Sequence, residues 1–386
     1  MPDIVLDMSC LNTLSRYRGI GRYAKELGKA LSLAATQGLD LAALTHFGSD
    51  HERCLASSLA YSGNEALTPT REMDHRVAHA RTRMLAKIAR SVGARAVHLL
   101  DPSPLIDQRA LLSVVTCHDI IPIALASEYY GRRPLRRWRE RRRLQQAFAH
   151  ADRCIAVSHT TKSDLIRLCG FDPARVDVVY HGIDHSLFRV ADREQARESV
   201  RVTLGLDRPY LVYVGGADVR RRVPNLIRAY DSSRVAKEFT LVLIGSEHSL
   251  SLEVSQAVRE VRHGKVQLLG YVPDDFLGAV YRAAHAHVFP SIYEGFGFPV
   301  LESMACGTPT LVCQRTALAE LAAEGALGFE ADELDALRSG IERICLDETL
   351  RALLTVKGPK VAQAFTWERA AKETLEVYKR VLESVH

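Results

Sequence analysis

Two glutamates stand eight positions apart between two apolar segments of the chain. Glu294 and Glu302 bracket the letters GFGFP in HVFPSIYEGFGFPVLESMACGTPTLVC, residues 287–313. We predict a strand ending at HVFP, a glycine turn, and a helix that begins at Pro299, holds Glu302 in its first turn and ends at Gly307. Amides at a helix start attract anions, whereas ionised carboxylates accept hydrogen bonds from hydroxyl groups. Either acid alone could merely complement the helix dipole, but the pair favours a site for sugar or ribose hydroxyls.

A second loop supplies positive charge. In YVGGADVRRRVPNLIRAY, residues 213–230, a strand is predicted to end at Val214, glycines including Gly216 turn the chain, and Arg220 and Arg221 follow. Guanidinium groups match the oxygens of phosphates. Because the carboxyl ends of parallel strands line the ligand crevice of a doubly wound sheet, we expect the two loops to meet. Together they suit a sugar nucleotide, although the arginine loop on its own could be merely solvated.

The first half of the chain carries two further signals. RGIGRYAKEL places Gly19 and Gly21 at a predicted helix start, and VVTCHDIIP places His118 and Asp119 at the end of a predicted strand. A histidine in this place could position a substrate or carry a proton. The alternative is a histidine that only makes structural hydrogen bonds, and the sequence leaves both interpretations open.

The length, the composition and the pattern of apolar residues indicate the fold class. The chain has 386 residues, 47% of them hydrophobic and 25% charged, which is typical of a globular protein with two domains. Apolar strand candidates alternate with helical stretches in two successive series, as in parallel sheets covered on both faces. We therefore predict an α/β chain of two doubly wound domains, with a boundary near residues 182–201 and a long amphipathic helix over 365–384.

The cysteines and apolar segments favour a cytoplasmic location. None of the eight cysteines forms a C-x-x-C pair, so we expect free, buried thiols in a reducing compartment and no zinc site. The N-terminal letters MPDIVLDMSCL lack the basic and apolar regions of a signal peptide, and no apolar run is long enough to span a bilayer.

An arginine-rich segment runs from Arg132 to Arg143 within GRRPLRRWRERRRLQQAF, and its apolar side is predicted to comprise Leu135, Trp138, Leu144 and Phe148. A basic amphipathic helix is typical of an element that lies on an anionic membrane surface. A charged, solvated helix is the alternative. Nucleic-acid binding is not favoured, because no RNA or DNA motif accompanies the run.

These motifs, taken in order, resemble the family 4 retaining glycosyltransferases of the GT-B fold. The E-x7-E pair Glu294 and Glu302 is moderately specific by itself. The ordered set is highly specific, and it adds YVGGADVRRR, HGIDHSLF, GYVPDDFLGAVYRAA, AVSHTTKSDLIRL and FTWERAAKETLEVY. The resemblance covers nearly the whole chain and is strongest from about Ala156 to Thr310.

The resemblance implies a domain plan. Residues 1–188 would form an acceptor-side Rossmann-like domain, and residues 189–364 a donor-binding Rossmann-like domain facing it across a cleft. Residues 365–386 would form a C-terminal helix that crosses back to the first domain.

The resemblance also implies roles for the candidate residues in binding a nucleotide-sugar donor. Glu302 would hold the ribose, and Glu294 the donor sugar together with the amides of Phe296, Gly297 and Phe298. Arg220 and Arg221 would neutralise the diphosphate beside Gly216. From the first domain, Gly19 and Gly21 would approach the phosphate and His118 would face the sugar. The family usually has lysine at the place of Arg221, which leaves open which arginine contacts which phosphate.

The implied reaction is transfer with retention at the anomeric carbon and without a metal or cofactor, with His118, Glu294 and Arg220 closest to the chemistry. The sequence holds no D-x-D or H-E-x-x-H motif. We expect GDP-mannose first and a UDP-sugar second as donor, because YVGG-x-D-x-R resembles bacterial mannosyltransferases. The acceptor would be a glycan, a lipid-linked glycan or a polysaccharide precursor, reached at the inner membrane face if the arginine run binds lipid.

Three alternatives compete with this interpretation. The letters GIGRYA over residues 19–24 spell the G-x-G-x-x-A of nucleotide-cofactor oxidoreductases, but ten residues separate them from the preceding strand, and Asp40 begins its strand candidate instead of ending it. A GT-B epimerase or a phosphorylase fits the glutamate spacing and the loops less well. A catalytically silent subunit that binds a sugar nucleotide is disfavoured by the intact set of candidate residues.

Overall fold

The computed structural model describes residues 1–34, 38–46, 55–56, 59, 75–101, 111–245, 251–330 and 333–384. The chain divides into two compact units. Unit 1 comprises residues 1–182 and 366–386, and unit 2 comprises residues 183–365.

Unit 1 is built on a seven-stranded sheet with the strand order β3-β2-β1-β4-β5-β6-β7. All neighbouring strands are parallel except β2 and β3, which run antiparallel. The strands are β1 (Ile4–Asp7), β2 (Leu41–Leu44), β3 (Leu55–Ala56), β4 (Ala96–Leu99), β5 (Leu112–Cys117), β6 (Arg153–Ala156) and β7 (Val176–Val178).

The strands of unit 1 are joined by helices, as continuous apolar strands buried on both faces require. The α-helices are Gly19–Ala34, His75–Ser91, Ile121–Ala124, Ala126–Tyr130, Pro134–Ala149, His159–Cys169 and Trp367–Glu383, with 3-10 turns at Ser9–Asn12, Leu14–Tyr17 and Pro173–Arg175. The C-terminal helix buries the apolar side that its sequence predicts, formed by Trp367, Ala371, Leu375, Tyr378 and Leu382.

Unit 2 is built on a six-stranded, entirely parallel sheet with the order β10-β9-β8-β11-β12-β13. Its strands are β8 (Tyr210–Val214), β9 (Thr240–Ile244), β10 (Lys265–Leu269), β11 (Ala286–Phe289), β12 (Thr310–Cys313) and β13 (Leu327–Phe329). Its α-helices are Arg193–Leu204, Val223–Asp231, Leu252–Arg259, Asp274–Ala283, Phe298–Ala305, Thr316–Ala322, Leu334–Leu346 and Glu348–Ala362, with 3-10 turns at Val219–Arg221 and Ala323–Gly325.

Both sheets reverse their strand order once, and these reversals determine where a ligand can bind. In unit 1 the reversal lies between β1 and β4, and in unit 2 it lies between β8 and β11. Ligands of doubly wound sheets bind outside the carboxyl ends of the strands at such a switch point. The loops that follow β8 and β11 are those that carry the arginines and Glu294, so the topology brings the two loops together.

The α/β class and the two doubly wound sheets predicted from the alternating pattern are confirmed. The sequence pattern did not predict β3, which has two residues, or β13, which has three. The seven cysteines in the described part of the chain are free thiols, and all but the half-buried Cys169 are buried. Cys54 lies outside the described residues, as do residues 35–37 at the end of the first helix, which the spacing of apolar residues predicts over 19–37.

Candidate active site

The arginine loop and the glutamate loop meet at the switch point of unit 2. Arg220 and Arg221 end the 3-10 turn that follows β8, and Glu294 lies five residues after β11. The backbone N–H of Ile292 donates to the carbonyl of Arg220 at 2.9 Å, which ties the two loops together. The expectation that these loops adjoin is therefore met within one unit.

The carboxylate of Glu294 is bonded by three side chains. Oε2 accepts from Nη2 of Arg220 at 3.2 Å, and Oε1 accepts from Nε of Arg221 at 3.2 Å and from Oγ of Ser291 at 2.9 Å. Arg220 also lies 3.1 Å from the carboxylate of Asp218 through Nη1. The glutamate and both arginines thus form one hydrogen-bonded cluster.

Electrostatics hold this cluster in its charged form. Burial raises the pKa of the Glu294 carboxyl, but Arg220, Arg221 and the hydrogen bond from Ser291 outweigh burial and bring the pKa below its ordinary value. Burial lowers the pKa of Arg221, but the charge of Glu294 raises it, and the net pKa lies above its ordinary value. Glu294 is therefore an ionised acceptor at neutral pH, with only 10% of its side chain exposed.

The glycines after β8 let the arginines approach the backbone. Gly215 has φ +147°, a conformation that other residues rarely adopt, and a Cβ added there would lie 2.6 Å from Nη1 of Arg221, which would have to move. The carbonyl of Gly216 accepts a hydrogen bond from the hydroxyl of Tyr213 at 2.5 Å. Arg222, the third arginine, adopts a left-handed conformation with φ +49° and starts the next helix.

The turn after Glu294 leads into an uncapped helix. The helix Phe298–Ala305 begins after Gly297, whose φ is +127°, and no side chain caps its N-terminus. The rings of Phe296 and Phe298 pack edge to face at 5.1 Å. Backbone amides at a helix start attract anions, so anion binding at this turn stays a prediction.

One sequence prediction about this helix is wrong. The helix starts at Phe298 and not at Pro299, so Glu302 is its fifth residue and lies in the second turn, and the first turn holds no acid. Complementing the helix dipole therefore does not explain Glu302. Its side chain is buried, with 1% of the residue exposed, and its Oε2 lies 3.4 Å from the hydroxyl of Tyr281.

A cavity of about 240 Å³ opens at the carboxyl ends of β8, β9 and β10 in unit 2. Its walls combine glycine backbone with apolar side chains, among them Gly216, Gly245, Val223, Leu243 and Leu268. Gly245 is required there, because a Cβ would lie 2.3 Å from the carbonyl oxygen of Gly215. The cavity adjoins the arginine loop and offers apolar side chains and glycine backbone to a ligand.

In unit 1, His118 follows β5 directly and is held in one tautomer. Its Nε2 lies 2.7 Å from the carbonyl oxygen of Leu100, an acceptor only, so Nε2 carries the proton and Nδ1 the lone pair. Burial lowers the pKa of His118, which keeps the ring neutral. The ring of Tyr23 packs edge to face against it at 4.9 Å.

Gly19 and Gly21 open the helix that follows β1. Gly19 is exposed at the helix start, whereas Gly21 is buried. A Cβ on Gly21 would lie 2.4 Å from the Cα of Arg16, so close packing of the preceding loop already accounts for this glycine. Asp119, beside His118, accepts a hydrogen bond from the backbone N–H of Ile121 at 3.1 Å, which gives it a local structural role.

Three residues around the site were not predicted. Ser291 bonds the Glu294 carboxylate, Tyr281 faces Glu302, and Thr316 accepts a hydrogen bond from the backbone N–H of Glu294 at 3.2 Å. Ser291 lies three residues before Glu294, a short spacing that could have indicated a contact. Thr316 and Tyr281 are more than ten residues from their partners, and no local pattern in the sequence indicates those contacts.

The arginine-rich segment forms the helix Pro134–Ala149, but its predicted apolar side is split. Phe148 is buried and Leu144 is partly buried in the core of unit 1, whereas Leu135 and Trp138 are 74% and 54% exposed. The guanidinium group of Arg142 lies over the Trp138 ring at 4.6 Å. No helix among the described residues is long and apolar enough to cross a membrane.

Comparison with known proteins covers both units. The model of the Glycosyltransferase Family 4 domain matches residues 17–187, and the model of the Glycosyl transferases group 1 domain matches residues 194–361. An O-antigen chain mannosyltransferase B of Escherichia coli is 28% identical over 281 residues, 72% of this chain and 73% of that protein. An alpha-maltose-1-phosphate synthase of Mycolicibacterium smegmatis is 30% identical over 288 residues, 69% of this chain and 73% of that protein.

Among solved structures, a sucrose-phosphate synthase of Thermosynechococcus elongatus superposes with a TM-score of 0.77 at 22% identity and full coverage of both chains. At this identity the likeness concerns the fold, which is GT-B. The two family models together span both units and include the arginine loop and both glutamates. The chain belongs to the family 4 glycosyltransferases.

Proposed function

We propose that this glycosyltransferase is a retaining, metal-independent hexosyltransferase that uses a nucleotide diphosphate sugar, with GDP-mannose the first candidate donor and a UDP-sugar the second. The observation that carries the proposal is Glu294 held between Arg220 and Arg221 at the switch point of unit 2. The resemblance to a named mannosyltransferase over most of both chains favours mannose among the hexoses. The acceptor is a hydroxyl of a glycan, a lipid-linked glycan or a polysaccharide precursor.

In this proposal, the diphosphate displaces the Glu294 carboxylate from Arg220 and Arg221. A diphosphate carries more charge than one carboxylate and offers several oxygens to the guanidinium forks. As Arg220 and Arg221 turn to it, the Glu294 carboxylate loses two donors and gains the capacity to accept hydrogen bonds from sugar hydroxyls. Binding of the phosphates thus prepares the residue that recognises the sugar.

The chemical step replaces one bond at the anomeric carbon with another on the same face. The bond between the anomeric carbon and the phosphate oxygen breaks as the acceptor oxygen bonds to that carbon, and the acceptor proton passes to the leaving phosphate. The nucleoside diphosphate leaves with the bonding electron pair. Arg220, Arg221 and the amides of Phe296, Gly297 and Phe298 stabilise its negative charge, which is where most of the catalysis would arise.

Glu302 and the adjoining cavity serve the nucleoside. Glu302 is a buried acceptor next to the Tyr281 hydroxyl, a setting suited to ribose hydroxyls. The cavity at the ends of β8, β9 and β10 offers apolar walls and glycine backbone to the base, with Gly216 between base and phosphate. Both assignments follow the family pattern, and the buried positions of these groups support them.

From unit 1, we assign His118 to the donor sugar and Gly19 to the phosphate. The neutral ring of His118, with its lone pair at Nδ1, is an acceptor for a sugar hydroxyl and not a cation. Gly19 is exposed at a helix start, where backbone amides attract phosphate. For Gly21 the packing on Arg16 is sufficient reason for glycine, so its part in the site is indirect.

The test is nucleotide release from a panel of donors, followed by analysis of the product's anomeric configuration by NMR. Release of GDP from GDP-mannose with retained configuration would support the full proposal, and release from a UDP-sugar would correct only the donor. Binding of nucleotides without turnover on any donor and acceptor would indicate the silent-subunit alternative. Loss of mannosyl transfer in Arg220→Ala, with normal activity in Arg222→Ala, would tie the activity to this site.

We further propose that the helix Pro134–Ala149 places unit 1 on an anionic membrane surface. The segment 132–143 holds eight arginines against the single acid Glu140, and all eight are exposed. Exposed Leu135 and Trp138 can enter the interfacial region while the arginines meet lipid phosphates, each contributing about 1 kcal/mol near such a surface.

Sedimentation with phosphatidylglycerol vesicles and with phosphatidylcholine vesicles tests the membrane proposal. We expect binding to the anionic vesicles only, and its loss in the variant Arg136→Glu/Arg137→Glu/Trp138→Ala. The matched control is Arg197→Glu/Arg201→Glu, which reverses two exposed arginines on the helix Arg193–Leu204 and should bind as the natural chain does. Equal, negligible binding to both vesicles would refute the proposal.

A further inference from the structure

The short helix Thr316–Ala322 touches the turn after Glu294 at two points. The Thr316 hydroxyl accepts a hydrogen bond from the backbone N–H of Glu294 at 3.2 Å. The buried side chain of Leu318 lies so close to Gly297 that a Cβ added there would be 2.6 Å from its Cδ2. The helix therefore braces both ends of the segment that would hold the donor sugar.

Thr316 makes its contact from a backbone conformation that threonine rarely adopts. Its φ is +52°, in the left-handed region where the Cβ crowds the backbone and where a β-branched residue is disfavoured. Among the described non-glycine residues only Arg222 and Ala323 share a positive φ. Such strain persists where the surrounding structure imposes it, and it concentrates at functional sites.

We infer that Thr316 is a positioning residue for Glu294. The inference rests on the proposed function, in which the Glu294 carboxylate binds the donor sugar. Glu294 is anchored at its side chain by Arg220, Arg221 and Ser291, and at its backbone by Thr316. Once the diphosphate engages the arginines, the carboxylate depends on Ser291 and the main chain on Thr316.

The variant Thr316→Gly separates a positioning role from a merely structural one. Glycine adopts the left-handed conformation without strain but has no hydroxyl, so the relief of strain offsets part of the lost hydrogen bond, and we expect the melting temperature to fall by no more than about 5 °C. We expect kcat/KM for the donor to fall about tenfold or more, since small displacements of a contacting group reduce turnover steeply. The Kd for the nucleoside diphosphate alone should not change, because that ligand lacks the donor hexose that Glu294 is proposed to bind.

Two further variants complete the design. Thr316→Ser keeps the hydroxyl and should stay within about threefold of the natural kcat/KM. Ala323→Gly relieves the positive φ of +39° at the other end of the same helix and has no functional group to lose, so kcat/KM should be unchanged. Natural kcat/KM in Thr316→Gly, or a loss in Thr316→Ser as large as in Thr316→Gly, would overturn the inference.

Glu294→Gln, measured in parallel, distinguishes this inference from the proposed function. If Glu294→Gln loses turnover and Thr316→Gly does not, Thr316 has no positioning role and the donor site stands. If Glu294→Gln itself turns over normally, the assignment of Glu294 fails, and the positioning role of Thr316 fails with it.

Discussion

Arg220 donates through Nη2 to Oε2 of Glu294 at 3.2 Å. The carboxylate is thus paired with a cation that the diphosphate of the proposed donor would require. The same carboxylate also bonds Arg221 at 3.2 Å. In the proposed donor complex, a ligand phosphate and Glu294 would therefore compete for the same two guanidinium groups. On that proposal, we expect the phosphates to engage the arginines before the Glu294 carboxylate accepts hydrogen bonds from the sugar.

Glu294→Gln should separate nucleotide affinity from turnover. Glutamine keeps the shape but removes the charge that competes with phosphate, so we expect GDP or UDP to bind as tightly as before or more tightly. Turnover should fall about 100-fold, since the sugar loses its charged acceptor in the transition state. Calorimetry with the nucleoside diphosphate and a nucleotide-release assay measure the two quantities. A parallel fall of affinity and turnover would contradict the proposed exchange.

Arg220→Ala, unlike Glu294→Gln, should weaken nucleoside diphosphate binding as well as turnover. It removes a guanidinium group that is 13% exposed and leaves Glu294 and Asp218 with one cation fewer. We expect nucleoside diphosphate affinity to fall about 10- to 100-fold, as for loss of a charged hydrogen bond of about 1.5–3 kcal/mol, and turnover to fall further. The matched control is Arg222→Ala, because Arg222 is adjacent but bonds the Val219 carbonyl. Equal losses in both variants would indicate a general effect of charge.

Much of this arrangement could be predicted from the sequence, because the signals are local. The E-x7-E spacing, the glycines after β8 and the arginines at 220 and 221 each mark the end of a strand, and parallel topology brings strand ends together. The sequence did not indicate that Glu294 pairs with the arginines, since that contact depends on which loops flank the switch point between β8 and β11.

The features that the sequence did not indicate depend on contacts between distant segments. Thr316 reaches Glu294 across 22 residues through a strained φ, and no propensity rule favours threonine in that conformation. The helix start was misplaced by one residue because Pro299 marks the first turn without specifying its first position, and this moved Glu302 into the second turn. The apolar side of the arginine-rich helix was predicted as one stripe, whereas packing buries only its C-terminal half.

Glu302→Ala should weaken binding of the nucleoside part of the ligand. Glu302 is proposed to hold the ribose, which every nucleoside diphosphate carries, so the affinity for GDP or UDP should fall together with that for the donor. Loss of a charged hydrogen-bond acceptor corresponds to about tenfold or more in affinity. Turnover at saturating donor should fall less than in Glu294→Gln. If Glu302→Ala binds the nucleoside diphosphate normally, Glu302 does not contact the ribose.

His287 should make unit 2 less stable in acid. Neither ring nitrogen has a hydrogen-bond partner among the described residues, and burial lowers the pKa of His287 to about 3 from an ordinary 6.5. Between these values the unfolded chain binds a proton that the folded chain does not, so stability is fully present above pH 6.5 and declines as the pH falls. His287→Leu should be as stable as the natural chain or more stable, and it should lose less stability between pH 7 and pH 4. Identical pH profiles in denaturant titrations would contradict this.

A buried chain of hydrogen bonds includes Tyr23, whose ring packs against His118. We expect the stability contributions of its members, which are distant in sequence, to depend on one another. The Thr116 hydroxyl lies 2.9 Å from that of Tyr23 and 2.8 Å from Nε2 of His98, whose Nδ1 lies 2.6 Å from the Tyr378 hydroxyl. All four residues are buried, and burial lowers the pKa of His98 to about 3, so the ring is neutral.

Thr116→Val keeps the shape of the side chain but leaves Tyr23 and His98 without this partner, which should cost about 2–5 kcal/mol in the free energy of unfolding. Tyr23→Phe removes one of those two groups, so the double variant should lose less stability than the sum of the single losses, by about 0.5–3 kcal/mol. Denaturant unfolding of the two single variants and the double variant measures this coupling. Strict additivity would show that Tyr23 and Thr116 do not depend on each other, and the ring that packs against His118 would then be held by apolar contacts alone.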